Sequence, residues 1–354
     1  MDLLLVMEID FLIIGQGLAG SAMAYRLLLA GKKVIVIDQP KNNQSSRIAA
    51  GLYNPVTGKK MVKSWMAEHL FPEIVPFYRE LELVIGKKFL HEFPIYRPFL
   101  TIEEQNEWMG HSSDPMVDLF LERIPTCSQS SELRDSYGGV LLKKSGWLDI
   151  PVYLDGFAGF LGERLILDWF EEKELVKTKK GWEYKGILTQ SLIYCGGLGE
   201  LKSRFFGVLP FAPVKGEILE VFQDFDPGWI VNRGVFRVPL GKGLFRVGST
   251  YTWHDLDQGP TDTAKNELLE KLEKLVKPAV KGVKSHRSGI RPATKDRKPF
   301  LGKHPGEDGV YIFNGFGAKG VSLIPYFSQM MTAYLLQNQP LLAEVDIKRY
   351  FKYI

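Results

Sequence analysis

The chain has 354 residues, of which 45% are hydrophobic and 24% charged, a composition typical of a soluble globular protein with a sizeable core. Its 45 lysines and arginines oppose 41 acidic residues and are scattered along the chain, so charge alone does not indicate a nucleic-acid partner. At about 150 residues per domain, the length predicts roughly two domains.

The cysteines and the start of the chain indicate a compartment. Cys127 and Cys195 are far apart and form neither a disulfide framework nor a CxxC pair, which favours a reducing cytoplasm. The apolar residues 3–6 are flanked by acids and lack a basic region before them, which argues against a signal peptide. No apolar run approaches the roughly 20 residues of a membrane-spanning helix.

The first forty residues predict a βαβ unit. Residues 9–14 and 34–38 are apolar, β-branched runs typical of buried strands, and residues 19–30 between them are predicted to form a helix. The glycine-rich residues 15–20 form the turn into that helix.

This turn has the spacing of a dinucleotide-binding fingerprint. Gly15 permits the tight turn, Gly17 lets the backbone approach a pyrophosphate, and Gly20 allows the helix to pack closely on the strand. Asp38, at the end of the second strand, can accept hydrogen bonds from a ribose hydroxyl, which argues against NADP. The motif alone leaves FAD and NAD open, and a glycine turn that only packs is the alternative without a ligand.

Later segments interrupt the α/β pattern. Further helices are predicted at residues 62–85, 151–162, 261–276 and 321–336, and strands at residues 95–100, 174–178, 182–185, 191–195, 216–221, 235–240, 244–250 and 310–313. The consecutive strands after residue 213 predict an antiparallel sheet, and the polar residues 42–60 predict a functional or mobile loop. The six histidines show no metal-binding spacing, and there is no GxSxG elbow or P-loop, so no metal site is predicted.

Five segments in order resemble the FAD-dependent D-amino acid oxidase and glycine oxidase family. They are the glycine turn with Asp38, SSRIAAG at residues 45–51, PVKGEIL at 213–219, FRVP with VGST at 236–239 and 247–250, and GIRPATKDRKPFLG with NGFGAKG at 289–302 and 314–320. The similarity spans nearly the whole chain. A plain NAD dehydrogenase has no reason to carry the C-terminal block.

The resemblance implies an α/β fold, with a Rossmann-like FAD-binding domain and a second, smaller α+β substrate domain built on an antiparallel sheet. The FAD-binding domain is predicted to be discontinuous and to comprise residues 1–85, 146–210 and 285–354. Residues 86–145 and 211–284 are predicted to form the substrate-binding domain.

The family pattern also implies which residues meet FAD. Val176 is chosen from the strand pattern to meet the adenine through its backbone, and the others come from the matching segments. The predicted FAD-binding residues are Gly15, Gly17, Leu18, Ala19, Gly20, Asp38, Gln39, Ser46, Ala49, Ala50, Gly51, Val176, Gly196, Gly197, Arg291, Gly315, Gly317, Ala318, Lys319 and Gly320. Neither cysteine lies in the C-terminal block, so FAD is expected to be non-covalent.

Two basic residues are the predicted catalytic ones. Arg291 matches the position that binds the substrate carboxylate in glycine oxidase-like members, a task that suits its planar fork, and a structural ion pair is its alternative role. Lys319 stands where many relatives have arginine and would add to the positive end of the helix at 321–336, beside the flavin pyrimidine. Its alternatives are a position near the substrate and the role of an ordinary solvated lysine.

One departure from the family concerns the substrate. At Phe236, glycine oxidase-like members tend to have a tyrosine whose hydroxyl reaches the substrate, and phenylalanine cannot form that hydrogen bond. Tyr251, Trp253 and His254 follow the next strand and either compensate or belong to the core. The role of the segment at residues 53–60 is not predicted.

The resulting prediction is oxidation of the C–N bond of a small amine or amino acid, resembling glycine, a D-amino acid or sarcosine, by hydride transfer to flavin with dioxygen as acceptor. Two alternatives stay open: a tRNA-modifying FAD oxidoreductase or dehydrogenase acting on a larger amine, and a non-catalytic flavin-binding subunit. A basic face at the pocket mouth would favour the tRNA-modifying alternative. The predicted partner is a small-molecule substrate. Neither a nucleic-acid partner nor a membrane-spanning segment is predicted, and the oligomeric state is left open.

Overall fold

A computed structural model describes residues 7–39, 44–57, 62–111, 118–257 and 259–353. The apolar residues 3–6, residues 42–43 and residues 58–60 of the predicted loops lie outside them. The helices are α1 (Leu18–Leu29), α2 (Gln44–Ile48), α3 (Ala67–Ile85), α4 (Ile102–His111), α5 (Ile150–Leu161), α6 (Asp262–Glu273) and α7 (Gly320–Gln337).

The strands belong to two large and two small sheets. They are β1 (Met7–Ile14), β2 (Val34–Asp38), β3 (Leu52–Tyr53), β4 (Val56–Thr57), β5 (Val62–Lys63), β6 (Leu90–Glu92), β7 (Ile95–Pro98), β8 (Leu121–Arg123), β9 (Gly139–Leu142), β10 (Gly146–Leu148), β11 (Leu165–Leu167), β12 (Val176–Thr178), β13 (Gly181–Tyr184), β14 (Ile187–Tyr194), β15 (Val214–Phe222), β16 (Ile230–Arg233), β17 (Val235–Gly241), β18 (Leu244–Gly248), β19 (Gly282–Arg291), β20 (Phe300–Lys303) and β21 (Val310–Asn314).

The first large sheet has the order β11-β2-β1-β14, and β14 then pairs with β21 near its end and with β13 near its start. Strands β11, β2, β1, β14 and β21 are parallel to one another. Consecutive residues of β1 are buried on opposite faces, with Ile13 in a core beneath α1, α3, α5 and α7, and Leu12 in a core with Trp182 and Phe206. Burial on both faces explains the continuous apolar run of this strand.

The second large sheet has the order β19-β15-β18-β17-β16-β7-β9-β8 and is antiparallel except for the β16–β7 pair. Leu268 and Leu272 of α6 pack on one face, against Leu219 and Val247. The fold class is therefore as predicted. Strand β19 pairs with β15 along its length and crosses the predicted domain boundary at residue 285, and the boundaries themselves stay a prediction.

The sequence pattern was wrong at the start of α3. Residues 62–66 were predicted to be helical, but β5 pairs with β4, the Ser64 N–H donates to the Pro55 carbonyl, and α3 begins only after Met66, which has a φ of 52°. The loop predicted at residues 42–60 contains α2, β3 and β4 where it is described. Each helix of the described residues is too short or too polar to cross a membrane.

Candidate active site

A cavity of about 2630 Å³ begins at the carboxyl ends of β1, β2 and β14 and continues onto the face of the second sheet. Ile14, Asp38 and Cys195 line its first part, and Ile218 and Phe236 line its second part. The carboxyl ends of parallel strands are where α/β sheets bind dinucleotides.

Two glycines let the turn, α1 and β14 meet closely. Gly15 has a φ of +100°, and a β-carbon there would lie 2.8 Å from the Cys195 carbonyl oxygen. A β-carbon on Gly20 would lie 1.8 Å from the Gly15 carbonyl oxygen, so Gly20 packs behind the turn and does not line the cavity. Any residue with a side chain at either position would force the turn and the helix away from the strands.

The amino end of α1 is available to an anion. The helix begins after Gly17, which has no side chain to cap it, and its first turn contains no acid. Gly17, Leu18 and Ala19 line the cavity, and Ser46 on α2 lies 3.5 Å from the Leu18 nitrogen through its Oγ. An uncapped helix amino end has free N–H groups and a partial positive charge, which suit a pyrophosphate.

Asp38 and Gln39 line the cavity beside the glycine turn. Burial raises the pKa of the Asp38 carboxyl, against the opposing effect of N–H groups from Gln16 and Gln39. Hydrogen-bond donors such as ribose hydroxyls would stabilise this partly desolvated carboxylate.

α2 and the segment after it connect the two halves of the cavity. Ser45 donates a 2.6 Å hydrogen bond through Oγ to the Ile290 carbonyl on β19. Gly51 has a φ of +76°, and a β-carbon there would lie 2.0 Å from the Leu148 carbonyl oxygen. Ala49, Ala50 and Gly51 all line the cavity, as the resemblance implied.

The amino end of α7 also opens onto the cavity. Gly315, Gly317 and Ala318 precede it, Lys319 occupies its N-cap position, and Gly320 begins it, without an acid in the first turn or a side-chain cap. The Lys319 Nζ lies 3.5 Å from the Ser64 Oγ. Burial, followed by the charges of Arg297 and Lys298, lowers the pKa of Lys319.

Arg291 ends β19 and lines the second part of the cavity. Its Nη2 donates to the Ser249 Oγ at 2.7 Å, and its guanidinium lies 4.5 Å from the Tyr251 ring centroid. A β-carbon on Gly216 would lie 2.0 Å from Nη2, so the guanidinium rests on that glycine. Its described polar partners are a hydroxyl and backbone carbonyls, with no carboxylate among them, and burial lowers its pKa.

One part of the wall near Arg291 is apolar. Ile218, Gly248 and Phe236 are paired across three strands, and a β-carbon on Gly248 would lie 2.7 Å from both Ile218 Cγ2 and Phe236 Cζ. These two side chains therefore meet above Gly248. Tyr251 and Trp253, which are 57% and 62% exposed, also line the cavity, whereas His254 does not.

The structure brings together all of the predicted site residues except Gly20, which packs behind the turn, and Val176. Val176 lies on β12, an antiparallel strand at the edge of the first sheet, where its side chain is 57% exposed and outside this cavity. The chain after β11 lines the cavity near Asp38 instead, since the Asp168 N–H donates to the Asp38 carbonyl and Trp169 is part of the wall. The pattern missed this segment because its position depends on the pairing of β11 with β2.

The structure also places at the site two residues without a predicted role, Glu200 and, within the matching C-terminal segment, Asn314. Glu200 and Asn314 line the cavity between the turn at Gly196–Gly197 and the turn at Gly315. Within the described residues, no cluster of histidine, cysteine, aspartate or glutamate is suited to hold a metal ion.

A parallel sheet with a glycine turn and uncapped helix ends at one cavity defines the class of dinucleotide-binding α/β proteins. Residues 10–334 match the family model of DAO, the FAD dependent oxidoreductases. The chain belongs to this family, which confirms the resemblance found in the sequence. It is thus an FAD-dependent oxidoreductase of the glycine oxidase and D-amino acid oxidase type.

Individual relatives share little sequence identity with this chain. Glycine oxidase of Pseudomonas aeruginosa is 22% identical, over 93% of this chain and 95% of the relative. The crystal structure of glycine oxidase from Geobacillus kaustophilus superposes with a TM-score of 0.78 at 20% identity, covering 97% of this chain and 98% of that one, and so supports the fold. The bifunctional protein MnmC of tRNA 5-methylaminomethyl-2-thiouridine biosynthesis from Burkholderia mallei is 23% identical, over 83% of this chain and 48% of its own length.

The residues present fit FAD. The ends of α1 and α7 present backbone N–H groups without competing acids, and Asp38 offers an acceptor between them and the edge of the sheet. The cavity of about 2630 Å³ exceeds the range of roughly 300–1,000 Å³ typical of a small-ligand pocket, as a bound dinucleotide together with a substrate requires.

Proposed function

We propose that this enzyme oxidises the C–N bond of a small amine or amino acid that carries a carboxylate. The observation that carries the proposal is Arg291, a half-buried guanidinium on the cavity wall whose described partners include no carboxylate. Its planar fork can bind a substrate carboxylate through two parallel hydrogen bonds, which fixes orientation as well as charge.

The neighbouring residues have separate tasks in this proposal. Ser249 holds the guanidinium, and Ile218 and Phe236 exclude water from the carbon that loses hydride. Bound FAD supplies the hydride acceptor. The amino end of α7 and the Lys319 ammonium would stabilise negative charge on the flavin ring beside them. Because substrate orientation and this preorganised field promote the reaction, no side-chain base is required.

Phe236 has a consequence for the substrate. Because the wall formed by Ile218 and Phe236 carries no hydrogen-bonding group, the part of the substrate beside it gains from being apolar. The imine product is released to water and hydrolyses. Dioxygen is the proposed electron acceptor, with hydrogen peroxide as its product.

The test is an anaerobic screen of amines and amino acids with the purified holoenzyme. A carboxylated amine should bleach the visible flavin absorbance, and admitting air should restore the colour and yield peroxide. If no compound of this class bleaches bound FAD, the proposed substrate is wrong. If bleaching occurs but air does not restore the colour, dioxygen is not the acceptor.

Arg291→Ala should raise the substrate concentration needed for half-maximal bleaching. Loss of one partner of a buried charge pair costs about 2–5 kcal/mol, or roughly 30-fold or more in affinity. Arg291→Lys should retain only part of the affinity because it loses the fork. The control substrate is the same amine without its carboxylate, which both variants should oxidise as the parent does. An equal loss for both substrates would remove the proposed role of Arg291.

A larger amine joined to RNA is the second candidate. Lys295, Arg297 and Lys298 line the cavity and favour it, although Lys298 lies 3.2 Å from a Glu344 carboxylate oxygen and Asp296 interrupts the basic run. Salt-dependent binding of tRNA, together with flavin bleaching by modified tRNA only, would favour this candidate. Membership of an enzyme family argues against the non-catalytic subunit.

A further inference from the structure

Glu200 is a buried acid that the proposed chemistry does not use. It lies in the short 3-10 helix Gly197–Lys202 that follows β14, and its side chain is 2% exposed. Its Oε1 accepts a 2.8 Å hydrogen bond from the Gly196 N–H, and its Oε2 accepts a 2.6 Å hydrogen bond from Asn314 Nδ2. One carboxyl group thus joins the turn after β14 to the end of β21.

Asn314 completes this connection. Its Nδ2 also donates to the Gly197 carbonyl at 2.9 Å, and its Oδ1 accepts from the Gly315 N–H at 2.6 Å. Glu200 and Asn314 therefore hold backbone groups of both turns, Gly196–Gly197 and Gly315. The two strands are neighbours, with Tyr194 paired to Ile312, so the turns leave the sheet side by side.

Both turns face the cavity where FAD fits. Gly196, Gly197 and Gly315 line it, and α7 begins shortly after Gly315. The spacing of the two turns therefore sets the distance between the cavity wall at Gly196–Gly197 and the amino end of α7.

Packing alone does not explain an acid at this position. Acidic residues are almost never fully buried unless they are paired, and within the described residues no cation lies within salt-bridge distance of Glu200. The nearby Glu172 adds a charge of the same sign. Burial raises the pKa of Glu200 to about 8, against the opposing effect of the Gly196 N–H and of Asn314. An apolar side chain would fill the space at lower cost, but it could not join the turns.

We propose that Glu200 is a positioning residue for FAD: together with Asn314 it fixes the turn after β14 against the turn after β21 at the spacing that the cofactor requires. The proposal depends on the FAD cofactor of the family and is independent of which substrate is oxidised. Glu200 acts through the backbone of the turns and need not touch the cofactor.

The experiment measures the dissociation constant of FAD from the refolded or FAD-stripped protein, by quenching of flavin fluorescence. Glu200→Ala and Asn314→Ala should each raise this constant at least tenfold. The double variant should be no more than about threefold worse than the weaker-binding single variant, because the two side chains act as one unit. The FAD dissociation constant of Glu200→Gln should lie between those of the parent and of Glu200→Ala. Its amide keeps one hydrogen-bond acceptor but turns a donor toward Gly196 or Asn314.

Glu82→Gln is the matched control. Glu82 is also a buried acid, and its Oε1 accepts from the Phe89 and Leu90 N–H groups at 2.7 and 2.8 Å, but it does not line the cavity. It should lower the melting temperature of the apoprotein and leave the FAD dissociation constant within twofold of the parent.

Three results would overturn the proposal. They are FAD dissociation constants within twofold of the parent for Glu200→Ala and Asn314→Ala, fully additive losses in the double variant, and an equal loss of FAD in Glu82→Gln. If Glu200→Ala does not fold, Glu200→Gln and Asn314→Ala decide by the same criterion. Absence of any substrate for the holoenzyme would contradict the proposed function but not this proposal.

Discussion

Glu200 couples a proton to the stability of the molecule. Burial raises the pKa of its carboxyl from 4.5 to about 8, and the Glu172 charge acts in the same direction. The neighbouring Cys195 thiol, whose own pKa is raised mainly by burial, is neutral over this range. Between pH 4.5 and about 8, the two pKa values of Glu200 in the unfolded and folded states, the folded state therefore binds more protons than the unfolded state.

The sign follows from that difference. The contribution of Glu200 is most favourable below pH 4.5 and decreases as the pH rises toward 8, with a slope approaching about 1.4 kcal/mol per pH unit. Urea unfolding of the apoprotein between pH 5 and 8 should therefore show a steeper loss of stability in the parent than in Glu200→Gln. Parallel curves for the two proteins would contradict the raised pKa.

Without the family pattern, single residues of the site were predictable only where their chemistry is local. Gly15 and Asp38 could be found because a turn with a positive φ and a carboxylate at a strand end have meaning within forty residues. Glu200 could not, because its partner Asn314 is more than a hundred residues away and the pairing depends on β14 lying beside β21. Arg291 was found through the family pattern, and its support by Gly216 became visible only in the structure.

At the scale of elements, the contact of α1 with β1 depends on Gly20. A β-carbon there would lie 1.8 Å from the Gly15 carbonyl oxygen, so Gly20→Ala should push the amino end of α1 away from the turn. We expect a loss of about 1–3 kcal/mol in the free energy of unfolding and weaker FAD binding, since the N–H groups of the first turn move with the helix. Urea unfolding and FAD titration measure these two effects.

Gly159→Ala in α5 is the control for that substitution. Gly159 is an exposed helical glycine, and a β-carbon there would meet nothing within 4 Å. The alanine should stabilise the protein by about 0.5–1 kcal/mol without changing FAD affinity. Parent-like FAD binding in Gly20→Ala would show that α1 does not position the cofactor.

Elements with strong periodicity were predictable, and those made by long-range pairing were not. The apolar runs of β1, β2 and β14 and the helices α1, α5, α6 and α7 were predicted within a few residues of their observed positions. β19 was missed because its residues are intermediate in burial or exposed, without the alternation that marks a half-buried strand. Its strand conformation is instead set by the pairing with β15.

At the scale of the whole molecule, the cavity walls come from both large sheets. Asp38 and Cys195 lie at the ends of strands of the first sheet, and Phe236 and Arg291 lie on the second. The hydrogen bond from Ser45 to the Ile290 carbonyl joins the two parts beside the cavity. A ligand that fills this space therefore contacts both sheets at once, which the order of elements along the chain could not reveal.

FAD should consequently protect both sheets from unfolding together. A ligand that binds only the folded state adds about 2.7 kcal/mol at a free concentration of 100 times its dissociation constant, a roughly 100-fold slowing of exchange through global unfolding. Hydrogen exchange with and without FAD should show this slowing equally for amides of β14 in the first sheet and β15 in the second. Slowing confined to β14 would mean that the second sheet unfolds without releasing FAD, and the cofactor would then be held by the first sheet alone.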